Sequence, residues 1–230
     1  MSAPLVSTQF VFFTDTTFTS QQHPAILSKF TSLYQGSTTI IPLPEEAPPE
    51  LPRMIVFSAE NDYQLVITKK RTDVIYNAPP VSFENPLPKN IQLISDTTRK
   101  LIEIDSISIT QIAFIVRYVL TKHNKKNLSK FLNPDGKIFV TDDSSEQMVI
   151  KQRTKQSIDL NGHASIVNQW VNLDDNLLNS GDNTTAILFE FEMNTLQNTL
   201  TVKPEDIEAF VKTVAQKHVD VVKDFEQFLR

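Results

Sequence analysis

The sequence predicts an α+β protein with antiparallel sheet and three principal helices. In the first half, strand and helix patterns follow in the order strand, helix, strands, helix, strand, which is compatible with two helices packed on one face of an antiparallel sheet. In the second half, a hairpin and an alternating strand precede a long amphipathic helix. The chain of 230 residues, 40% of them hydrophobic, is long enough to bury a core without disulfides.

The first elements are a strand and a helix. Leu5–Phe13 is rich in Val, Thr and Phe, and its even-numbered residues share one face. Pro24 suits the first turn of the helix that follows, and Gly36 is expected to end it. Apolar residues recur between them at helical spacing: Ile26, Leu27, Phe30, Leu33 and Tyr34.

Nine of the thirteen prolines fall between Pro42 and Pro88, in clusters at 42–52 and 78–88. Proline fixes φ and lacks an amide donor, so both clusters are predicted to be extended surface connectors within one domain rather than SH3-type ligands. Three short antiparallel strands are predicted between them, at Met54–Ser58, Tyr63–Lys69 and Asp73–Asn77.

The second cluster precedes a helix and a long strand. Ile91, Ile94, Leu101 and Ile102 mark the helix, and Ser106–Leu120 is a β-branched run. The chain is therefore divided into a half at 1–121 and a half at 122–230, two ferredoxin-like-related parts of one compact unit that meet near 121–130.

In the second half, a turn at 133–136 leads into a predicted strand at 137–141. Asn161-Gly162 is the strongest hairpin signal and joins strands at 147–160 and 163–173. In a strand at 184–194, Phe189 and Phe191 alternate with Glu190 and Glu192, which are expected to face outward. Pro204 begins the closing amphipathic helix.

Composition excludes several kinds of active site. The chain has no cysteine and only four glycines, so thiolate zinc sites, cysteine nucleophiles and glycine-rich phosphate loops are ruled out. The four histidines are far apart: His218 is predicted to lie at the edge of the core, and His163 to flank a turn. The acidic run 142–146 could hold a hard cation, but a turn is favoured. We therefore predict no catalytic residue, cofactor or metal site.

Targeting features are missing from the sequence. No basic residue precedes Lys29, and no apolar run approaches the roughly 18 residues that cross a bilayer. The expected location is the cytoplasm, without a membrane partner.

Charge is separated along the chain although the net charge is only −5. The segment 106–134 carries bases alone, whereas the segment 156–202 carries acids alone. The bases are candidate contacts for phosphates or for a partner. They are Arg117, Lys122, Lys125, Lys126 and Lys130.

Two phrases carry a family resemblance. Leu51-Pro-Arg-Met-Ile-Val-Phe-Ser followed by a second strand, and Ile112-Ala-Phe-Ile-Val-Arg-Tyr118 after the second helix, resemble a sporadically distributed, uncharacterised bacterial family of about this length. The resemblance covers most of the chain by order of elements. It implies no established activity or catalytic residue, and its distribution implies a role in accessory or defence loci.

Three functions follow, in order of preference. The first is a non-catalytic intracellular interaction protein, an accessory or regulatory partner of another protein, because edge strands and separated charges support association. A homo-oligomer is compatible with the same surfaces. The second is a nucleic-acid-binding protein that uses the basic segment 117–130. The third is an enzyme whose active site is assembled from dispersed residues.

Overall fold

A computed structural model describes residues 5–78, 87–104, 107–121, 149–174, 186–196 and 202–229. Three α-helices and nine strands lie within these ranges. The helices are α1 (His23–Tyr34), α2 (Leu87–Ile102) and α3 (Pro204–Leu229). The strands are β1 (Leu5–Thr14), β2 (Gln35–Ile40), β3 (Met54–Ser58), β4 (Tyr63–Ile67), β5 (Arg71–Asn77), β6 (Ile109–Thr121), β7 (Val149–Leu160), β8 (His163–Asp174) and β9 (Ala186–Thr195).

All nine strands form one antiparallel sheet in the order β2-β3-β4-β5-β1-β6-β9-β8-β7. The predicted α+β class is confirmed. The sheet is continuous across both halves of the chain, because β6 pairs with β1 on one side and with β9 on the other.

The chain follows the same path through this sheet twice, from β1 to α2 and again from β6 to α3, so the second pass begins with β6, within residues 1–121. Each pass has a central strand, β1 or β6, and then an edge strand, β2 or β7. Consecutive hairpins lead back from that edge until β5 pairs with β1 and β9 pairs with β6. A helix follows each return, and these two helices, α2 and α3, contact each other. The described residues thus contribute five strands in the first pass and four in the second.

The helices cover one face of the sheet and enclose the core. Because successive strand residues point to opposite faces, Phe10 and Phe12 of β1 lie on the helix-covered face with Phe114 of β6. Phe10 packs 4.8 Å from Phe12 and 6.2 Å from Phe210 of α3, measured between ring centroids. The apolar stripe predicted for α3 is buried at Ile207, Phe210, Val211 and Val214, whereas the side chains of Phe225 and Phe228 lie outside what the structure describes.

Several predicted elements are confirmed with shifted ends. The strands between the proline clusters are β3, β4 and β5, although Arg71 and Thr72 belong to β5 rather than to a turn. The hairpin at Asn161-Gly162 joins β7 to β8, and both turn residues have the positive φ values, 54° and 87°, that a two-residue hairpin needs. The expectations for 133–146 lie outside the described residues.

The structure differs from the sequence prediction at the end of α1. Gln35, rather than Gly36, takes the left-handed conformation that ends the helix, with φ 61°. Gly36 already belongs to β2, a strand that its polar composition did not reveal. A Cβ at Gly36 would overlap the backbone carbonyls of Phe57 and Ser58 on β3, so glycine is required for close strand approach.

The first proline cluster forms an ordered loop between β2 and β3. Arg53 is buried, and its guanidinium donates hydrogen bonds to the carbonyls of Leu43 at 3.1 Å and of Ala47 at 3.4 Å. Prolines fix the loop without donating amides, and Arg53 supplies donors instead. This arrangement gives the arginine of the Leu-Pro-Arg motif a structural role in the loop. The second cluster lies largely outside the described residues, but Pro88 is in the first turn of α2.

No helix of the described residues is long and apolar enough to cross a membrane.

His163 is exposed beside the hairpin turn, as expected.

Replacing Gly36 by alanine should destabilise the fold by about 2–4 kcal/mol, because the new methyl group would meet β3 backbone that cannot move without breaking the ladder. Urea unfolding followed by circular dichroism measures the change. Ser37→Ala, at the exposed neighbour, should alter stability by less than about 0.5 kcal/mol. Equal stabilities for the two variants would contradict the close approach of β2 to β3.

Candidate functional site

A cleft of about 340 Å³ opens where the end of α1 meets the β3–β4 turn and α2. Its polar lining includes Ser58, Glu60, Asp62, Gln92 and Asp96. Its apolar lining consists of Leu33, Tyr34, Ala59, Tyr63 and Leu93. The cleft thus combines aromatic and aliphatic surface with three carboxylates.

Local hydrogen bonds hold two of these carboxylates in place. Ser58 Oγ donates to Asp62 Oδ1 at 2.7 Å, and the amide of Tyr63 donates to Ser58 Oγ at 2.9 Å. On α2, Gln92 donates to Asp96 at 3.0 Å. Glu60 is exposed at the rim.

The two tyrosines are anchored away from the cleft. Tyr34 OH lies 3.1 Å from Thr97 Oγ1, and Tyr63 OH donates to Asn90 Oδ1 at 2.5 Å. Burial raises the pKa of both phenols, so they stay neutral. Their hydroxyls are used in the core, and their rings present fixed surface to the cleft.

The electrostatics of the cleft favour a cation. The carboxyl end of α1 lies at Tyr34, where the helix dipole adds partial negative charge to that of the carboxylates. Among the described lining residues there is no histidine, lysine or arginine, although Arg99, one turn further along α2, pairs with Asp96 at 3.3 Å and offsets part of its charge. The cleft can therefore bind a positively charged group whose stem is apolar.

The cleft adjoins the free edge of the sheet. Gln35 pairs with Ser58, so β2 starts beside the cleft and runs away from it to Ile40. β2 carries no charged or proline residue, and Ile40 is 47% exposed. Within the part of the chain that the structure describes, no strand pairs with the outer side of β2. Such an edge can accept an additional strand.

A network of charged and amide side chains crosses the sheet face opposite the helices. Arg71 on β5 pairs with Asp73 at 3.0 Å. Arg117 on β6 donates to Gln9 of β1 at 3.1 Å and pairs with Glu190 of β9 at 2.8 Å. The network therefore connects the central pair of strands to the two strands that flank it.

On the same face the first set of bonds extends to Asn172 of β8, and a separate set lies nearer to β7. Glu190 accepts a hydrogen bond from Asn172 at 2.8 Å, and Glu192 accepts one from Asn194 at 2.6 Å. Asn194 in turn accepts one from Asn168 of β8 at 2.9 Å. Glu190 and Glu192 do lie on the face opposite the core, as expected, but both are half-buried in these contacts.

Two buried groups have pKa values shifted in opposite senses. Asp73 is 2% exposed, and burial raises its pKa to about 6 although Arg71 opposes the change. His218 is 5% exposed, stacks on Tyr118 and hydrogen-bonds its hydroxyl. Burial lowers the pKa of His218 to about 4. The predicted core-edge histidine is thus buried and neutral at pH 7.

Of the predicted contact residues, the structure describes Arg117 alone. Its guanidinium is engaged by Glu190 and Gln9 on the polar face. Lys122, Lys125, Lys126 and Lys130 lie outside the described residues, as does the acidic run 142–146, and their roles stay predictions. Sequence reasoning missed the cleft, because its residues come from three separate segments and share no spacing. Over the described ranges, no group of three potential ligands could hold a metal.

Comparison with models of known families and with curated proteins finds no match to this chain. The resemblance to the sporadically distributed bacterial family stays a prediction.

Asp73 and His218 should produce opposite pH dependences of stability that largely cancel in the wild type. Between pH 4 and 6 the folded state holds the Asp73 proton more tightly than the unfolded state, so stability falls as pH rises. Between pH 4 and 6.5 the unfolded state protonates His218 more readily, so stability rises with pH. Each effect amounts to about 3 kcal/mol.

Single variants separate the two effects. Between pH 4 and 6.5, Asp73→Asn should become more stable relative to wild type as pH rises, and His218→Gln less stable. Urea unfolding at several pH values measures both differences in the free energy of unfolding. The contributions of carboxylates that all three proteins share cancel in these differences. A difference between Asp73→Asn and wild type that is constant from pH 4 to 7 would contradict the raised pKa of Asp73.

Proposed function

We propose that this chain is a non-catalytic, intracellular interaction protein, an accessory or regulatory partner of another protein. The observation that supports this most is the acidic cleft beside the uncharged edge strand β2. The cleft offers a place for one side chain, and the edge offers backbone hydrogen bonds to the segment that carries it.

The chemistry of the two surfaces defines the partner segment. It is an extended segment that aligns with β2 and places a lysine or arginine in the cleft. The aliphatic stem of that residue contacts Leu33, Leu93 and the tyrosine rings, while its charge meets Glu60 and Asp62, because Asp96 is paired with Arg99. Backbone pairing alone would be unspecific, and the cleft supplies selection for the basic residue.

Catalysis has less support from this site. The carboxylates Glu60, Asp62 and Asp96 are accompanied by tyrosines whose hydroxyls bond into the core, rather than by a partner that could exchange protons with them. A fixed acidic surface with an apolar floor suits recognition.

Placing positive charge in the cleft should weaken partner binding at least about tenfold, by repelling the basic residue. The variant is Glu60→Lys with Gln92→Lys, at two exposed lining positions, so the fold should be retained. The second substitution adds positive charge beside Asp96, which already pairs with Arg99. Affinity capture from the native host, followed by calorimetry with the purified partner, measures the change.

The matched control changes the same charges elsewhere. Glu50→Lys lies in an exposed loop, and Gln216→Lys repeats the helical pair, because Gln216 bonds Asp220 as Gln92 bonds Asp96. A partner retained by the control and lost from the cleft variant supports the proposal. A lone monomer in light scattering with no retained partner, or equal retention by both variants, would contradict it.

A further inference from the structure

Arg153 of β7 is held in one orientation although it is exposed at the edge of the sheet. Its Nε and Nη2 both donate to Asn168 Oδ1 on β8, at 3.0 Å and 2.6 Å. Its guanidinium carbon lies 5.2 Å from the ring centroid of Trp170, the single tryptophan of the chain. The guanidinium is therefore held over an aromatic ring, and because Arg153 is exposed, part of its surface stays accessible to solvent.

A chain of amides beneath Arg153 maintains this orientation. Asn168 is buried, and its side-chain amide donates to Asn194, which donates to Glu192. An exposed arginine normally keeps its rotamer freedom, which costs free energy to restrict. Here the restriction is built into the sheet, so Arg153 is ordered before any ligand arrives.

Two lysines flank Arg153 on the same face. Lys151 and Lys155 are the alternate residues on either side of it along β7, at a spacing of about 6.5–7 Å per pair. Both are exposed, and neither forms an ion pair with another described residue. Ile166, on the same face of β8, is 52% exposed and adds apolar surface.

Protection of a sheet edge explains the charges but not their arrangement. Lysines and arginines on an edge strand discourage unwanted strand pairing, and mobile side chains are sufficient for that purpose. The stacking on Trp170 and the double hydrogen bond to Asn168 are additional, and both orient the guanidinium plane. A fixed planar cation between two further cations suits a ligand with planar groups along an anionic backbone.

We propose that this surface, formed by Lys151, Arg153, Lys155, Asn168 and Trp170, binds single-stranded nucleic acid. An unpaired base stacks on the outward surface of the Arg153 guanidinium, and the lysines contact the adjoining phosphates. The free N–H donors of Arg153 reach the intervening phosphate. The contact is short, because Glu190 and Glu192 on the neighbouring strand β9 repel a longer backbone.

The site uses none of the residues of the acidic cleft or of the predicted basic segment 117–130. A site that binds an acidic protein would not need the planar stacking surface, because carboxylate side chains would not use it. This surface differs from a duplex site because paired bases are not exposed for stacking.

The test uses the full-length protein and a fluorescently labelled, mixed-sequence oligonucleotide of about 12 nucleotides, as RNA and as DNA, in anisotropy titrations over a range of salt. With about three phosphate contacts, the logarithm of the binding constant should fall with the logarithm of salt with a slope of about −2. The duplex of the same sequence should bind at least about tenfold more weakly.

Two kinds of variant separate stacking from charge. Arg153→Lys keeps the charge and removes the plane, so binding should weaken about tenfold with the slope unchanged. Lys151→Gln with Lys155→Gln should reduce the slope by about 1.4. Lys203→Gln with Lys212→Gln, at two exposed positions away from this surface, is the matched control and should change neither quantity. Circular dichroism melting confirms that each variant is folded.

Absence of binding at about 20 mM salt would overturn the proposal, as would an affinity that Arg153→Lys leaves unchanged. Displacement by a poly-glutamate peptide as readily as by unlabelled oligonucleotide would assign the surface to an acidic protein instead, and would also overturn it.

Discussion

The antiparallel pairing of β1 with β6 is the contact on which the rest of the structure depends. Phe10 and Phe114 lie opposite each other in this pair, and Phe210 of α3 packs against Phe10 at 6.2 Å. Because β1 and β6 each begin one half of the approximate repeat, their pairing joins the halves into one sheet. It also brings α2 against α3, so a single core is buried instead of two small ones.

The same pair of strands divides the molecule into two chemically different faces. Successive strand residues point to opposite faces of the sheet, so Gln9 and Arg117 lie on the face opposite the core phenylalanines. There the charges are satisfied laterally, by Glu190 on the next strand and by amides beyond it. A separate set of bonds, from Glu192 through Asn194 and Asn168, ends at Arg153 on the outer strand β7.

Local sequence patterns predicted the secondary-structure elements better than they predicted which elements lie next to each other. The apolar alternation of Phe189, Phe191 and Met193 and the Asn161-Gly162 turn predicted β9 and the β7–β8 hairpin. In contrast, β2 was missed because an edge strand needs no apolar face, and its polar residues resemble a loop. The cleft was missed for a related reason, since it combines residues from elements that are distant in sequence.

By itself, the sequence determined the α+β class, the absence of thiol and glycine-loop chemistry, and the positions of most strands and helices, since these depend on composition and on local spacing. Apart from the hairpin at Asn161-Gly162, the tertiary structure decided which strands are neighbours, and therefore that Glu60, Asp62 and Asp96 share one cleft. Strand order follows from long-range pairing and helix packing, and these contacts leave no periodic signal in the chain.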